Sequence, residues 1–145
     1  HGWHLGEHAI WGKHSLFEES LHAPLIIYYP GMKHEGANTD AIVETVDIFP
    51  TLCDLAGIEI PEYTHGSSLK EILVDPNATG HYAISYKNNA STIRTSTHRM
   101  ILHQDGFVEL YNHTAREKET KNIAKEHPEL VKELKVKLST RLKLK

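Results

Sequence analysis

The chain has one cysteine, Cys53, so no internal disulfide can form. No stretch approaches the ~20 consecutive apolar residues of a membrane-spanning helix. Basic charge is not in excess: 16 Lys and Arg face 19 Asp and Glu, a formal net charge of -3 with histidine neutral. No global field therefore points to nucleic acid. There is no internal repeat and no low-complexity stretch, which excludes solenoids and compositional linkers. There is also no initiating methionine and no signal segment. The chain opens inside what reads as a functional loop, so the expectation is a fragment of a longer protein. What remains is an ordinary globular composition, 39% hydrophobic and 24% charged in 145 residues, enough for one core.

What the chain has in plenty is histidine, with 12 in all. The first stretch, His1 to Lys13, holds His1, His4 and His8 with Gly2, Gly6 and Gly12, Trp3, Trp11, Glu7 and Lys13. Glycine costs about 1 kcal/mol in a helix interior, and these three fall at no helical or strand period. The stretch predicts a shaped loop on which polar side chains converge, the usual setting for binding and catalytic groups.

Beyond it, Ser15 with Glu18 three residues on has the capping-box pattern and predicts a short helix over 16–22. The apolar run Leu25-Ile26-Ile27-Tyr28-Tyr29 predicts a strand buried on both faces, as in a parallel sheet. Residues 41–43 suggest a short strand. A helix is expected from about Asp47 to Ala56, with Ile48, Phe49, Leu52, Leu55 and Ala56 on one apolar face and Gly57 as its stop. On that helix Cys53 reads as a small buried residue rather than a nucleophile. A short helix follows from 66 to about 73. Asp75-Pro76-Asn77 then marks a boundary, giving two regions, 1–75 and 76–145. Four short strands are expected near 82–86, 92–95, 99–103 and 107–111, with Asp105-Gly106 as a hairpin turn. Pro128 opens a final helix to about 142, with Leu130, Val131, Leu134, Leu138 and Leu142 as its buried stripe. Its many lysines read as a solvated face. The fold class is α/β with a small antiparallel sheet and a C-terminal helix.

The opening loop, with Leu16-Phe17-Glu18-Glu19-Ser20 and Pro24 to Gly31, resembles the type I sulfatases of the alkaline-phosphatase-like superfamily. The similarity is greatest to the iduronate-2-sulfatase-like branch, which carries Asp-His-Gly-Trp-x-Leu-Gly-Glu-His followed by a lysine. It continues through Val46 to Leu52, Leu55 to Ile58, Gly66-x-Ser68-Leu69, Ile93-Arg94-Thr95, Glu109 to Asn112 and Glu119 to Ala124. The resemblance implies the C-terminal portion of that fold. It makes His1 a ligand of one calcium ion shared with residues upstream, and Lys13 a sulfate-binding, catalytic lysine. The family nucleophile is a formylglycine made in a Cys-x-Pro-Ser-Arg motif, and the chain has no such motif; Cys53 lies in Leu-Cys-Asp-Leu-Ala. The implied reaction is hydrolysis of a sulfated saccharide, iduronate 2-sulfate being the branch's suggestion, in a periplasmic, secreted or lysosomal setting. The implied partner is the N-terminal remainder of the same protein, without which the chain is expected to be inactive.

His4 and His8 are expected to shape the pocket wall or touch substrate. The alternative for both, packing beside Trp3 and Trp11, stays open, and Glu7 is a candidate to orient one of them. His22 is read as a helix-end residue or an anion reader. Two other functions remain. One is a phosphonate or phosphodiester hydrolase of the same superfamily. The other is a zinc module built on His1, His4 and His8, since His4 and His8 have i,i+4 spacing, though Gly6 between them opposes a helix. Asn77, Asn89 and Asn112 match the glycosylation pattern and suggest surface loops.

Overall fold

The structure, a computed structural model, describes residues 2–143. In chain order its elements are strands β1 (His4–Leu5) and β2 (Trp11–Gly12), helices α1 (Glu18–Leu21), α2 (Ile48–Leu55) and α3 (Lys70–Val74), strands β3 (Ala83–Lys87), β4 (Ala90–Arg94), β5 (His98–His103) and β6 (Val108–Asn112), and helix α4 (Pro128–Lys143). Residues 27–83 form one compact unit. The residues up to Ile26 and from Ile84 onward form another.

The second of these units is built on a four-stranded sheet in the order β3-β4-β5-β6, as the strand pattern predicts. Asp105-Gly106 makes the β5–β6 turn. His103 N–H donates to the Phe107 carbonyl at 3.0 Å, and Phe107 N–H donates to the Asp105 carboxylate at 2.9 Å. Antiparallel register sets Ile93, Met100 and Leu110 side by side across β4, β5 and β6, and all three are fully buried. Side chains alternate along a strand, so the neighbouring row, Arg94, Arg99 and Tyr111, faces the other way. That other face packs Ile101 and Tyr111 against Leu16, with Phe17 and Leu21 of the α1 segment alongside. Helix α4 closes the remaining face with Leu134 and Leu138 buried, and Leu130, Val131 and Leu142 half-buried beside them. Each fully buried aliphatic side chain contributes about 1.5–3 kcal/mol by leaving water.

Arg99 lies on the α1 side of the sheet and is buried. A charge there needs partners, and it has two carboxylates. Its Nη2 donates to Glu18, and its Nε donates to Glu119 Oε1 at 2.5 Å. Arg94 Nε adds a 3.3 Å contact to Glu18. Glu119 also accepts His113 Nε2 at 2.8 Å and the Glu18 N–H at 2.7 Å. Burial works against the charge on Glu18, but Arg99 and Arg94 outweigh it and hold the carboxyl below its usual range. The same opposition, burial against His113, Arg99 and the Glu18 N–H, holds Glu119 below its range. This network explains why the expected capping box does not form. The Glu18 side chain turns to the arginines, Ser15 Oγ accepts the Phe17 N–H at 3.2 Å, and α1 starts at Glu18 without a side-chain cap.

In the unit of residues 27–83, α2 keeps its predicted place. A 3₁₀ turn at Thr45–Asp47 leads into it, Pro50 sits in its first turn, and Gly57 ends it at φ 68°. Cys53 is buried, as read. Its apolar stripe is not: Ile48, Phe49 and Leu52 are exposed, while Pro50, Thr51 and Cys53 are buried. Helical period selects a face, but it does not supply a surface to cover it. The run 25–29 likewise forms no strand. Leu25, Ile26 and Tyr28 are exposed, Ile26 to 90%. A strand exists only where a neighbour completes its hydrogen bonds, and no described residue offers one. Residues 41–43 are also outside any strand.

The polar centre of this unit is Asp47, fully buried. Its carboxylate accepts the N–H groups of Glu44 at 2.7 Å and Ser67 at 2.9 Å, and His81 Nε2 at 2.7 Å. The Asp47 carbonyl accepts the Thr51 hydroxyl, which in turn accepts the Leu69 N–H. His81 Nδ1 meets the Tyr82 carbonyl at 2.8 Å. Both ring nitrogens thus face acceptors, which favours the imidazolium. The hydrogen bond to Asp47 raises the His81 pKa above its ordinary value despite burial. Burial opposes the Asp47 charge, but His81 and the two N–H donors outweigh it and lower that pKa.

Two outcomes follow. Arg99→Ala leaves two carboxylates facing each other in a buried site, so it destabilises the protein by about 3–5 kcal/mol in denaturant titration. Arg99→Met combined with Glu119→Gln costs less than the sum of the two single changes; strict additivity would deny the coupling. For His81, stability from its raised pKa is full below the unfolded value and is lost as pH rises through the folded one. Asp47 works the other way, losing its contribution only as pH falls into the acid range. The Tm gap between the wild type and His81→Gln is therefore widest near pH ~6 and shrinks by pH ~9. A gap that does not change with pH would rule out the Asp47–His81 pair as its source.

Candidate active site

The loop from Gly2 to Ser15 is held by side chains and by its short ladder. β1 and β2 pair antiparallel, His4 opposite Gly12 and Leu5 opposite Trp11. Between them Gly6 takes φ 123°, and His8 and Ala9 take left-handed values near 55°. These angles break any regular helix, so His4 and His8 do not share a helical face. That removes the geometry on which the zinc reading rested.

His4 is fully buried. Its Nε2 lies 2.7 Å from Ser15 Oγ and 3.0 Å from Ser20 Oγ, and the two hydroxyls are 2.8 Å apart. Its ring packs edge-on to His8 and Phe17. His8 is half-buried and stacks flat on Phe17, with ring centroids 3.7 Å apart. Its Nε2 is 3.9 Å from Glu19. The two histidines thus pack on Phe17 and not beside Trp3 and Trp11, which are exposed. Glu7 orients neither histidine: its carboxylate accepts the Leu5 N–H at 2.6 Å, and its own backbone N–H, with that of Leu5, lowers its pKa. His22 is an exposed residue at the end of α1, 3.8 Å from Glu18.

Helix α1 underlies the loop at two points. Ser20 bonds to His4, and the Glu19 carbonyl lies against Gly2. A Cβ on Gly2 would come within 2.4 Å of that oxygen, so only glycine fits without a shift. Lys13 is exposed. Among the described residues it has no hydrogen-bond or ion-pair partner, and its chain neighbours are fixed. Gly12 is in the β1–β2 ladder, the His14 carbonyl accepts Lys87 Nζ, and Ser15 is bonded to His4. The loop therefore presents one unpaired ammonium from a clamped backbone.

His1, expected as a calcium ligand, lies outside the described residues. Two described clusters bring His and Glu atoms within 4.8 Å: His8, Glu19 and Glu119, and Glu18, His113 and Glu119. Neither fits calcium, which takes six to eight oxygens. Glu119 is already occupied by Arg99, His113 and the Glu18 N–H, and Glu18 by two arginines. These contacts join parts of the chain that no local sequence pattern links. Ser20 could be suspected from Ser15 five residues before it. Lys87 and Glu119 reach the loop from 73 or more positions away and leave no local signal.

Residues 6–144 match the family described as N-sulphoglucosamine sulphohydrolase, C-terminal. Arylsulfatase K of Mus musculus is 33% identical over 156 residues, covering 95% of this chain and 28% of that protein. A protein solved in complex with its substrate D-glucosamine-2-N,6-O-disulfate superposes with a TM-score of 0.83 at 31% identity, over 99% of this chain and 32% of that one. A phosphonate monoester hydrolase from Silicibacter pomeroyi superposes with a TM-score of 0.76 at 25% identity, over 95% and 32%. The chain thus spans about a third or less of the length of these relatives. It belongs to the sulfatase C-terminal family and has the fold of that part of an alkaline-phosphatase-like sulfatase.

Proposed function

We propose that the protein carrying this chain hydrolyses sulfuric esters of saccharides, and that Lys13 is the catalytic side chain this chain gives to the sulfate. The observation that carries the proposal is the exposed, unpartnered Lys13 on a backbone fixed on both sides. A sulfate ester is a tetrahedral anion, and attack on it redistributes negative charge over its oxygens. An ammonium already in position stabilises that charge without reorganising. His8, stacked on Phe17 at the loop's edge, would line the saccharide side of the pocket.

The resemblance of the opening loop further assigns His1 to a calcium ion and the nucleophile to an upstream formylglycine. When bound, such an ion withdraws electron density from the sulfate oxygens. The residues described here do not hold it. On this reading the rest of the site belongs to sequence upstream of His1, and residues 1–75 complete a catalytic region to which 76–145 is appended. The substrate class is a glycosaminoglycan-type sulfated sugar, either a glucosamine sulfate or iduronate 2-sulfate.

A second reading, phosphonate ester hydrolysis, is favoured by the likeness to the phosphonate monoester hydrolase. It is separated by comparing kcat/KM on an aryl sulfate and on a phosphonate monoester. A preference for the phosphonate would replace the sulfatase reading.

In the full-length protein, Lys13→Ala lowers kcat/KM for a sulfate ester by at least ~10²-fold, the scale of losing one preorganised donor. A change under about threefold would take Lys13 out of the site. The 145 residues alone, lacking a Cys-x-Pro-Ser-Arg motif, turn over no chromogenic aryl sulfate. Measurable turnover would place a nucleophile within this chain.

A further inference from the structure

We propose that His4 is a positioning residue for Lys13, acting through Ser15, and not a substrate contact. The inference rests on the reading of Lys13 given above. Lys13 and His14 are the two residues between Gly12 and Ser15, and both of those are tied to His4. Gly12 opposes His4 in the β1–β2 ladder. Ser15 Oγ sits 2.7 Å from the His4 ring. One residue thus anchors the chain immediately before Lys13 and two positions after it, fixing both ends of a two-residue span. Ser20 joins the same knot at 3.0 Å from His4 and 2.8 Å from Ser15, which fastens it to α1.

The ring presents no atom at the surface where a substrate could meet it. It is fully buried, Nε2 is taken by the serines, and Nδ1, which has no hydrogen-bond partner among the described residues, is buried as well. A lysine ammonium on four flexible carbons goes where its Cα is set. Misplacing a reacting group by about 1 Å costs on the order of 10²-fold in rate. Loosening the span should therefore act on the chemistry that Lys13 serves and leave the rest of the site unaffected. Gln at position 4 can still present an amide N–H where Nε2 now lies, whereas Leu cannot.

The test is a double-mutant cycle in the full-length protein, with kcat and KM for an aryl sulfate and Tm measured for every variant. His4→Leu should lower kcat about tenfold or more with Lys13 present, but less than about twofold on a Lys13→Ala background. His4→Gln should restore kcat to within about threefold of the wild type, and Ser15→Ala should reproduce the His4→Leu loss. Equal losses from His4→Leu with and without Lys13 would overturn the proposal by showing that His4 acts on its own. So would wild-type kcat in Ser15→Ala, which needs no change at the buried ring and covers the case in which His4→Leu fails to fold. A Lys13→Ala enzyme with near wild-type activity would instead overturn the reading of Lys13 itself, and the two failures are distinct.

Discussion

The buried guanidinium of Arg99 is the constraint on which the sheet-containing unit depends. An arginine cannot shed its proton in a protein interior, so burial obliges the fold to bring carboxylates to it. Glu18 comes from the segment after the opening loop and Glu119 from the segment after β6. Glu119 then accepts the backbone N–H of Glu18 as well. Three stretches, at positions 18, 99 and 119, are thereby locked into one geometry. Apolar contacts of Leu16 and Phe17 with Ile101 and Tyr111 fill the space around them. Hydrophobic packing alone would let the α1 segment slide on the sheet. A charged, directional network does not, and α1 carries the serine and the carbonyl on which the opening loop rests.

Asp47 applies the same logic in the unit of residues 27–83. A buried carboxylate is costly until donors surround it, and here they come from residues 44, 67 and 81. The difference is the partner. Arg99 keeps its charge at every accessible pH, whereas His81 holds its proton only up to a raised but finite pKa. The Arg99–carboxylate pairs therefore do not weaken as pH rises, and the Asp47–His81 pair does.

The parts of this fold that were legible in the sequence are those whose determinants are local. Asp105-Gly106 specifies a tight turn whatever surrounds it, and alternation about it specifies the strands. Pro128 and the leucine stripe define α4, and Pro50 and Gly57 delimit α2. The illegible parts depend on partners distant in sequence. The run 25–29 has strand composition but no neighbour among the described residues. Ser15 and Glu18 have capping-box spacing, yet Glu18 binds more strongly to arginines at positions 94 and 99 than to a helix end, because charge-assisted bonds in a buried site outweigh a cap worth about 1 kcal/mol. The site was legible as a loop with too many histidines and one lysine. Its supports were not, because Lys87 and Glu119 are ordinary surface-type residues whose partners in the loop and α1 lie 73 or more positions away in sequence.

This difference also assigns roles within the loop. A residue that contacts a ligand must keep polar atoms uncommitted and reachable, while a residue that shapes the site spends them on its own chain. Lys13 meets the first condition and His4 the second, although both are polar residues in the same glycine-rich stretch. His8 lies between them, its face given to Phe17 and its edge near Glu19. Ranking the three by exposure puts the ammonium outermost, the stacked imidazole half-buried and the His4 imidazole innermost. Among the described residues, the loop's two buried or half-buried histidines are thus internal scaffolding, His4 through Ser15 and Ser20 and His8 through Phe17.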